Sequence, residues 1–310
     1  MSVTAEEIRE FQLAGDMAYQ LARVEECPRE CSGDGCVIVG GGRYLISAYV
    51  TARMLRLHAP WMPAQVWHLG PAEMPPEWGQ RFAELRVEPV DAFTIGGDHA
   101  PGGYALKAFA VERCPWERVL MLDADSYPVA PLDGLFGCSR ADAHGAVFYP
   151  DAPFTDRWTD WDFWGVKPYG PACGWETGQY LIDKRRHWPV LRLARWYDEQ
   201  GELCYRKGPE DPRGDHGDKG PWRVAFARFR REPAFYSTFL SYWPPAVVHP
   251  GPNGRPLFVH RTRDKFRLTP KADWTTGQLY PTNRFVPELP GEKDAWAAYF
   301  DVIESQIGGA

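Results

Sequence analysis

Between residues 36 and 125 the chain repeats one pattern: a short apolar run, a turn, and then a stretch with apolar residues at helical spacing. Cys36-Val-Ile-Val39 reads as a buried strand and Gly40-Gly41-Gly42 as a turn. Tyr44 to Leu57 reads as a helix with Leu45, Tyr49, Ala52 and Leu55 among its apolar positions. The same spacing predicts strands at 65–69, 86–90 and 118–122 and helices at 76–85 and 104–114. Short strands alternating with amphipathic helices imply an α/β fold, a mostly parallel central sheet flanked by helices on both faces. Ligands of such sheets gather at the carboxyl ends of the strands.

Ahead of this unit, Thr4 and Glu7 have capping-box spacing, and Ile8, Phe11, Leu13, Met17 and Leu21 predict a helix over 5–23. After Asp125 the regularity weakens into Pro-, Gly- and Trp-rich segments with helical pieces at 186–199 and 222–229, a pattern expected of loops riding on a rigid scaffold. The stretch 207–219 reads as a loop, either an acceptor-side lid or plain surface. With no repeat and no linker, the 310 residues are expected to form a single domain with a decorated C-terminal half.

Composition removes several classes. A net charge of −6 argues against a general nucleic-acid binder, and Arg228, Arg230 and Arg231 read as a solvated helix face. The longest apolar runs, such as 36–39 and 119–122, are too short to span a bilayer, and the acidic stretch 4–10 has no signal-peptide pattern, so the expectation is no membrane segment and a cytoplasmic protein. Seven cysteines, four of them widely scattered, suit reduced thiols, and Cys27, Cys31 and Cys36 lack a second pair of zinc-site spacing. The 14 Trp, 14 Tyr and 16 Phe, with Trp158, Trp161, Phe163 and Trp164 crowded together, serve equally to stack on sugars or to fill a core.

The strongest chemical signal follows the strand at 119–122. Asp123-Ala124-Asp125 sets two carboxylates at i and i+2 where a buried strand opens into the cleft, so both can face one hard cation bridging diphosphate oxygens. Oxygen ligands suit Mn²⁺ or Mg²⁺, and a metal there offsets the charge that develops as a nucleoside diphosphate departs. Such a triplet alone also ends strands and caps turns. Its setting is more specific: an apolar strand before it, Ser-Tyr-Pro after it, and Lys107 on the preceding helix.

Leu106-Lys107-Ala108 together with Val119 to Val129 resembles the core of retaining glycosyltransferases of the glycogenin kind. Glu176-Thr-Gly178-Gln179-Tyr-Leu-Ile-Asp183-Lys184, His187-Trp188 and Gly217-Asp218-Lys219 ahead of Trp222 to Phe226 are similar to the fungal α-mannosyltransferases that extend cell-wall mannan. Val37 to Tyr44 and Arg53 to Arg56 resemble the first βα unit of that family. The resemblance touches most of 36–265 as ordered motifs. It implies the GT-A fold of nucleotide-diphospho-sugar transferases, with a lead-in over 1–35, a nucleotide-sugar and metal-binding half over 36–150 and an acceptor-side half over 151–310. It also implies a divalent cation, a nucleotide-sugar donor (GDP- or UDP-sugar), a hydroxyl acceptor (glycan or small molecule) and retention of configuration. The chain departs from the fungal pattern in having Gly220, where an acidic residue usually follows Gly-Asp-Lys.

The resemblance carries roles onto single residues. His260 is implied as a third metal ligand beside Asp123 and Asp125, and Lys265 and Lys107 as partners of the diphosphate. Gly40, Gly41 and Gly42, with Ala124, let backbone approach the nucleotide, and Tyr44 is available to stack on its base. Gly178, between Glu176 and Gln179, leaves room for the donor sugar. Glu176 serves as nucleophile or as hydrogen-bond partner of sugar hydroxyls, and Asp218 orients the acceptor hydroxyl or takes its proton; both alternatives stay open. Two rival readings are a sugar-phosphate nucleotidyltransferase, for which Gly40 to Arg43 is a short basic loop, and a catalytically silent sugar-binding protein.

Overall fold

The structure is a computed structural model that describes residues 3–151, 159–171, 173–205, 217–236, 241–243, 246–262, 265–267 and 285–307. Along the chain run β1 (Asp34–Val39), β2 (Ala64–His68), β3 (Val87–Asp91), β4 (Arg118–Asp123), β5 (Ser126–Pro128) and β6 (Ala146–Pro150). Then come β7 (Trp175–Asp183), β8 (Ala234–Phe235), β9 (Ser241–Trp243), β10 (Ala246–Pro250) and β11 (Pro256–His260). A seven-stranded sheet has the order β3-β2-β1-β4-β7-β6-β8, and a four-stranded sheet the order β5-β11-β10-β9. β1 to β4 pair in parallel, β7 runs antiparallel to β4 and β6, and β8 is parallel to β6. The mostly parallel sheet flanked by helices, expected from the alternation, is therefore observed, and the GT-A fold implied by the resemblance is a sheet of this kind.

Period-two alternation feeds two core layers. In β1 and β4, Cys36, Ile38, Leu120 and Leu122 face one layer, while Val37, Val119 and Met121 face the other. The first layer is closed by the helices Leu45–His58 and Glu292–Ile307. The second is closed by Ala105–Arg113, Lys184–Glu199, Lys219–Arg228 and the N-terminal helix Ala5–Val24. Each of these fully buried aliphatic side chains contributes about 1.5–3 kcal/mol. The N-terminal helix begins with the expected capping box between Thr4 and Glu7.

Burial decides one open reading of the sequence and corrects another. Phe163 and Trp164 lie on the short helix Trp161–Trp164 and are buried against Phe11 and Tyr197, so these aromatics fill core and offer no sugar platform. Arg228 is half-buried: it donates to the Tyr197 hydroxyl at 2.8 Å, pairs with Asp16 and lies over the Tyr19 ring. It ties the N-terminal helix to Lys219–Arg228 and does not sit on a solvated face. Trp158 and positions 207–216 of the expected loop lie outside the described residues. Among the described residues no disulfide joins the seven cysteines, in line with the reading as reduced thiols, and no helix is long and apolar enough to cross a membrane.

Candidate active site

The chemistry collects where β4 ends. Register pairs Val39 of β1 with Asp123 of β4, so the next residue, Gly40, falls beside Ala124. A Cβ on Gly40 would lie 2.7 Å from that of Ala124 and 2.9 Å from that of Ala48. Glycine is thus required for the strand end to close on the Asp-Ala-Asp loop. Thr51 Oγ1 fixes the same loop by donating to the Ala124 carbonyl at 2.7 Å. β11 then returns alongside β5 with His260 opposite Ser126, and the Arg261 N–H donates to the Asp125 carbonyl at 2.9 Å.

This weave brings together the three residues expected to hold a metal. Ligand atoms of Asp123, Asp125 and His260 all lie within 4.8 Å of one another, and His260 Nε2 is 3.6 Å from Asp125 Oδ2. Burial pushes the Asp125 carboxyl up, but the Lys265 ammonium, which pairs with Oδ2, and the His260 ring outweigh it and hold the group below its usual range. A carboxylate 3% exposed thus demands a cationic partner, and here a lysine provides the charge. Two carboxylates and an imidazole fit Mn²⁺ or Mg²⁺ at this place.

Lys107 was expected to meet donor phosphates. Its ammonium bridges two carboxylates, 2.8 Å from Asp123 Oδ1 and 3.2 Å from Asp218 Oδ1. Burial disfavours the charge on Lys107, yet Asp123 and Asp218 more than offset this and its pKa is raised. Asp218 also accepts from Thr177 Oγ1 at 2.9 Å, and its Oδ2 is buried without a hydrogen bond. Burial and the nearby Asp123 charge push the Asp218 carboxyl up against the pull of Lys107.

Glu176 and Gln179 stand on β7, the antiparallel neighbour of β4, buried among the same groups. Glu176 Oε1 accepts from the Gly178 N–H at 2.7 Å and faces His260 Nδ1 at 3.5 Å, while Oε2 lies 3.6 Å from the Lys219 ammonium. Burial works against ionisation, but Lys219 and His260 hold the carboxyl well below its usual range. Gln179 accepts from Ser126 Oγ at 2.7 Å, leaving its Nε2 buried without a partner.

Gly178 borders the imidazole. A Cβ there would lie 2.4 Å from His260 Cε1, so the missing side chain makes room for the ring. On the other rim, Gly42 takes a φ of +53° that favours glycine, and a Cβ on Gly41 would lie 2.8 Å from that of Glu73. These turns present Tyr44, whose ring is flanked by Arg43, Lys265 and Arg267 at 4.8, 5.5 and 4.9 Å. The ring edge of the cleft is therefore cationic.

Lys219, Thr177 and Ser126 stood inside sequence motifs without a role of their own, and His249 in none. His249 is 1% exposed, stacks edge-on with Tyr149 at 4.9 Å, and has neither ring nitrogen hydrogen-bonded. Burial pushes it down to about 3. The signal was the apolar run 246–248 ending in a histidine.

The family described as "Mannosyltransferase putative" matches residues 33–167. The chain is similar to alpha-1,2-mannosyltransferase MNN2 of Saccharomyces cerevisiae, 27% identical over 248 residues that cover 64% of this chain and 40% of the yeast protein. It is also similar to alpha-1,2-mannosyltransferase MNN24 of Candida albicans, 26% identical over 233 residues, covering 60% of this chain and 32% of that protein. The resemblance to fungal α-mannosyltransferases is thus borne out, and the chain spans about 40% of the length of MNN2. Among solved structures, the glycosyltransferase GlyE of Streptococcus pneumoniae aligns with a TM-score of 0.45 at 15% identity, covering 66% of this chain and 46% of that one.

Proposed function

We propose that this chain is a metal-dependent retaining glycosyltransferase that moves a hexose from a nucleoside-diphosphate sugar to a hydroxyl acceptor, mannose from GDP-mannose in the first instance and a UDP-sugar as the alternative donor. The observation that carries this reading is the convergence of Asp123, Asp125 and His260 at the carboxyl end of β4, between the Tyr44 rim and Glu176. The similarity to fungal mannosyltransferases supports mannose over other hexoses.

When bound, Mn²⁺ or Mg²⁺ supplies positive charge to the leaving diphosphate. Asp123, Asp125 and His260 would hold it. Lys265 sits between Asp125 and Tyr44, where its ammonium would be available to the diphosphate if a bound cation held the Asp125 carboxylate. Tyr44 offers its face to the base, with Arg43 and Arg267 adding positive charge at the rim. Lys107 fixes Asp123 and Asp218 relative to each other and acts on the donor through them.

On the sugar side, Glu176 is held ionised and aimed by the Gly178 N–H and Lys219. A charged carboxylate in a dry pocket suits attack on the anomeric carbon or stabilisation of the positive charge that develops there. Gln179 Nε2 and Asp218 Oδ2, both buried without partners, are hydrogen-bonding capacity left for sugar or acceptor hydroxyls.

A donor screen tests the proposal: purified protein with Mn²⁺ and each common GDP- and UDP-sugar, with nucleoside diphosphate release as readout. The expected result is release from one donor, abolished by EDTA and by Asp125→Asn. Release that persists in EDTA, or no donor turned over at all, would overturn it. Nuclear magnetic resonance of the product anomer then checks retention.

A further inference from the structure

His260 has two faces. Its Nε2 lies toward Asp125, while Nδ1 points the other way, 3.5 Å from Glu176 Oε1 and without an aligned hydrogen bond. On this second side stands His249. β10 and β11 are antiparallel with Val247 opposite His260, so His249, two residues along β10, lies on the same sheet face as the diagonal neighbour of His260. Ligand atoms of Glu176, His249 and His260 fall within 4.8 Å of one another, and all three residues are at least nine-tenths buried.

We propose that Glu176, His249 and His260 form a second divalent-cation site, nitrogen-rich and suited to Zn²⁺, back to back with the Asp-Ala-Asp centre and sharing its histidine. Two imidazoles and one carboxylate are a ligand set that Zn²⁺ takes with a fourth position open. Two ligands about 2.0–2.1 Å from a tetrahedral ion stand about 3.3 Å apart, and the Nδ1-to-Oε1 separation here is 3.5 Å. The donor set also separates the sites by chemistry, since carboxylate-rich sites favour Mg²⁺ or Mn²⁺ and imidazole favours Zn²⁺.

The surroundings support occupancy. His249 reaches its buried position with neither ring nitrogen hydrogen-bonded, which is what an unfilled ligand looks like. Gly178 keeps the space beside His260 Nδ1 clear, where any Cβ would strike the ring. Lys219 approaches Glu176 through Oε2, at 3.6 Å, and lies closer to Asp151, at 2.5 Å, so Oε1 is the oxygen that faces His260. Because His260 serves both sites, Zn²⁺ here is expected to weaken Mn²⁺-dependent nucleotide binding; that consequence alone rests on the function proposed above.

The test uses the metal-free full chain titrated with Zn²⁺ alone, without nucleotide, followed by calorimetry and by X-ray absorption at the zinc edge. One tightly bound Zn²⁺ with two imidazole nitrogens and no sulfur is the expected result. His249→Phe, which keeps a ring against Tyr149, should weaken Zn²⁺ by more than the roughly 10–100-fold typical of losing an outer partner, whereas Asp125→Asn should retain the zinc. A single imidazole, a sulfur ligand, or zinc affinity unchanged by His249→Phe would overturn the proposal. If His249→Phe does not fold, His249→Gln takes its place, and the wild-type absorption spectrum decides between the outcomes without any variant.

Discussion

Two clusters of buried charge lie one residue apart on the chain and are built in opposite ways. Arg261 and Glu292 are 0% and 1% exposed. The guanidinium reaches both Glu292 oxygens at 2.8 Å, and the same carboxylate accepts from the Val286 N–H, Trp296 Nε1 and Tyr127 hydroxyl. Beside it, the cluster of Asp125, His260, His249, Glu176, Gln179 and Asp218 is equally buried. It nevertheless leaves Asp218 Oδ2, Gln179 Nε2, His260 Nδ1 and both nitrogens of His249 without hydrogen bonds. A buried polar group without a partner costs about 1–3 kcal/mol, so a region that gathers several of them is organised for something other than stability. The first cluster clamps the C-terminal helix onto β5 and β11; the second is left open for a ligand.

The largest effect expected from breaking this contrast is on the clamp. Glu292→Ala removes the carboxylate that accepts from the buried Arg261 guanidinium and should cost about 3–5 kcal/mol, read as a shift in the urea unfolding midpoint. The remaining folded fraction should keep its metal response.

Next comes an acid effect on the scaffold. Burial holds His187 at about 4 against an ordinary 6.5. As pH falls below 6.5 the unfolded chain takes up a proton that the folded chain refuses until pH nears 4, so stability is present above 6.5 and lost through that window. The loss amounts to about 3 kcal/mol at most. His187→Gln should flatten this part of the stability profile, and an unchanged profile would show that His187 does not govern it.

Gly178→Ala sharpens the comparison from the other side. The new methyl must displace the His260 ring, at a cost of about 1–3 kcal/mol, and should remove metal-dependent nucleotide binding with little change in circular dichroism. The smallest effect is expected for Lys265→Met. Freed of its ammonium, Asp125 should bind Mn²⁺ alone somewhat more tightly, while affinity for the nucleoside diphosphate falls. Parallel changes in both affinities would contradict the handover of Lys265 between carboxylate and diphosphate.

Legibility in the sequence follows the same division. The first βα units were readable because their polar and apolar positions obey one period: the helix predicted over 44–57 is Leu45–His58 and the strand over 118–122 is Arg118–Asp123. β7 was not recognised as a strand although it is the longest in the sheet. Glu176, Thr177 and Gln179 near its start are polar yet buried, and that composition hides the pattern of a core strand. Asp123, Asp125 and His260 were legible from strand context and resemblance. The contact between Gly178 and His260 was not, because β11 is brought in from about 80 residues downstream. His249 escaped for the same reason: its importance lies in the cross-strand diagonal with His260, which no local spacing reveals.

The measurement closest to the central claim is calorimetric binding of GDP and UDP to the wild type and to Asp125→Asn, each with Mn²⁺ and with EDTA. Tight binding of one nucleotide by the wild type only when Mn²⁺ is present, and its loss in Asp125→Asn, is the predicted result. Nucleotide binding of equal strength without metal, or in Asp125→Asn, would contradict a cation held by Asp123, Asp125 and His260 as the anchor of the donor.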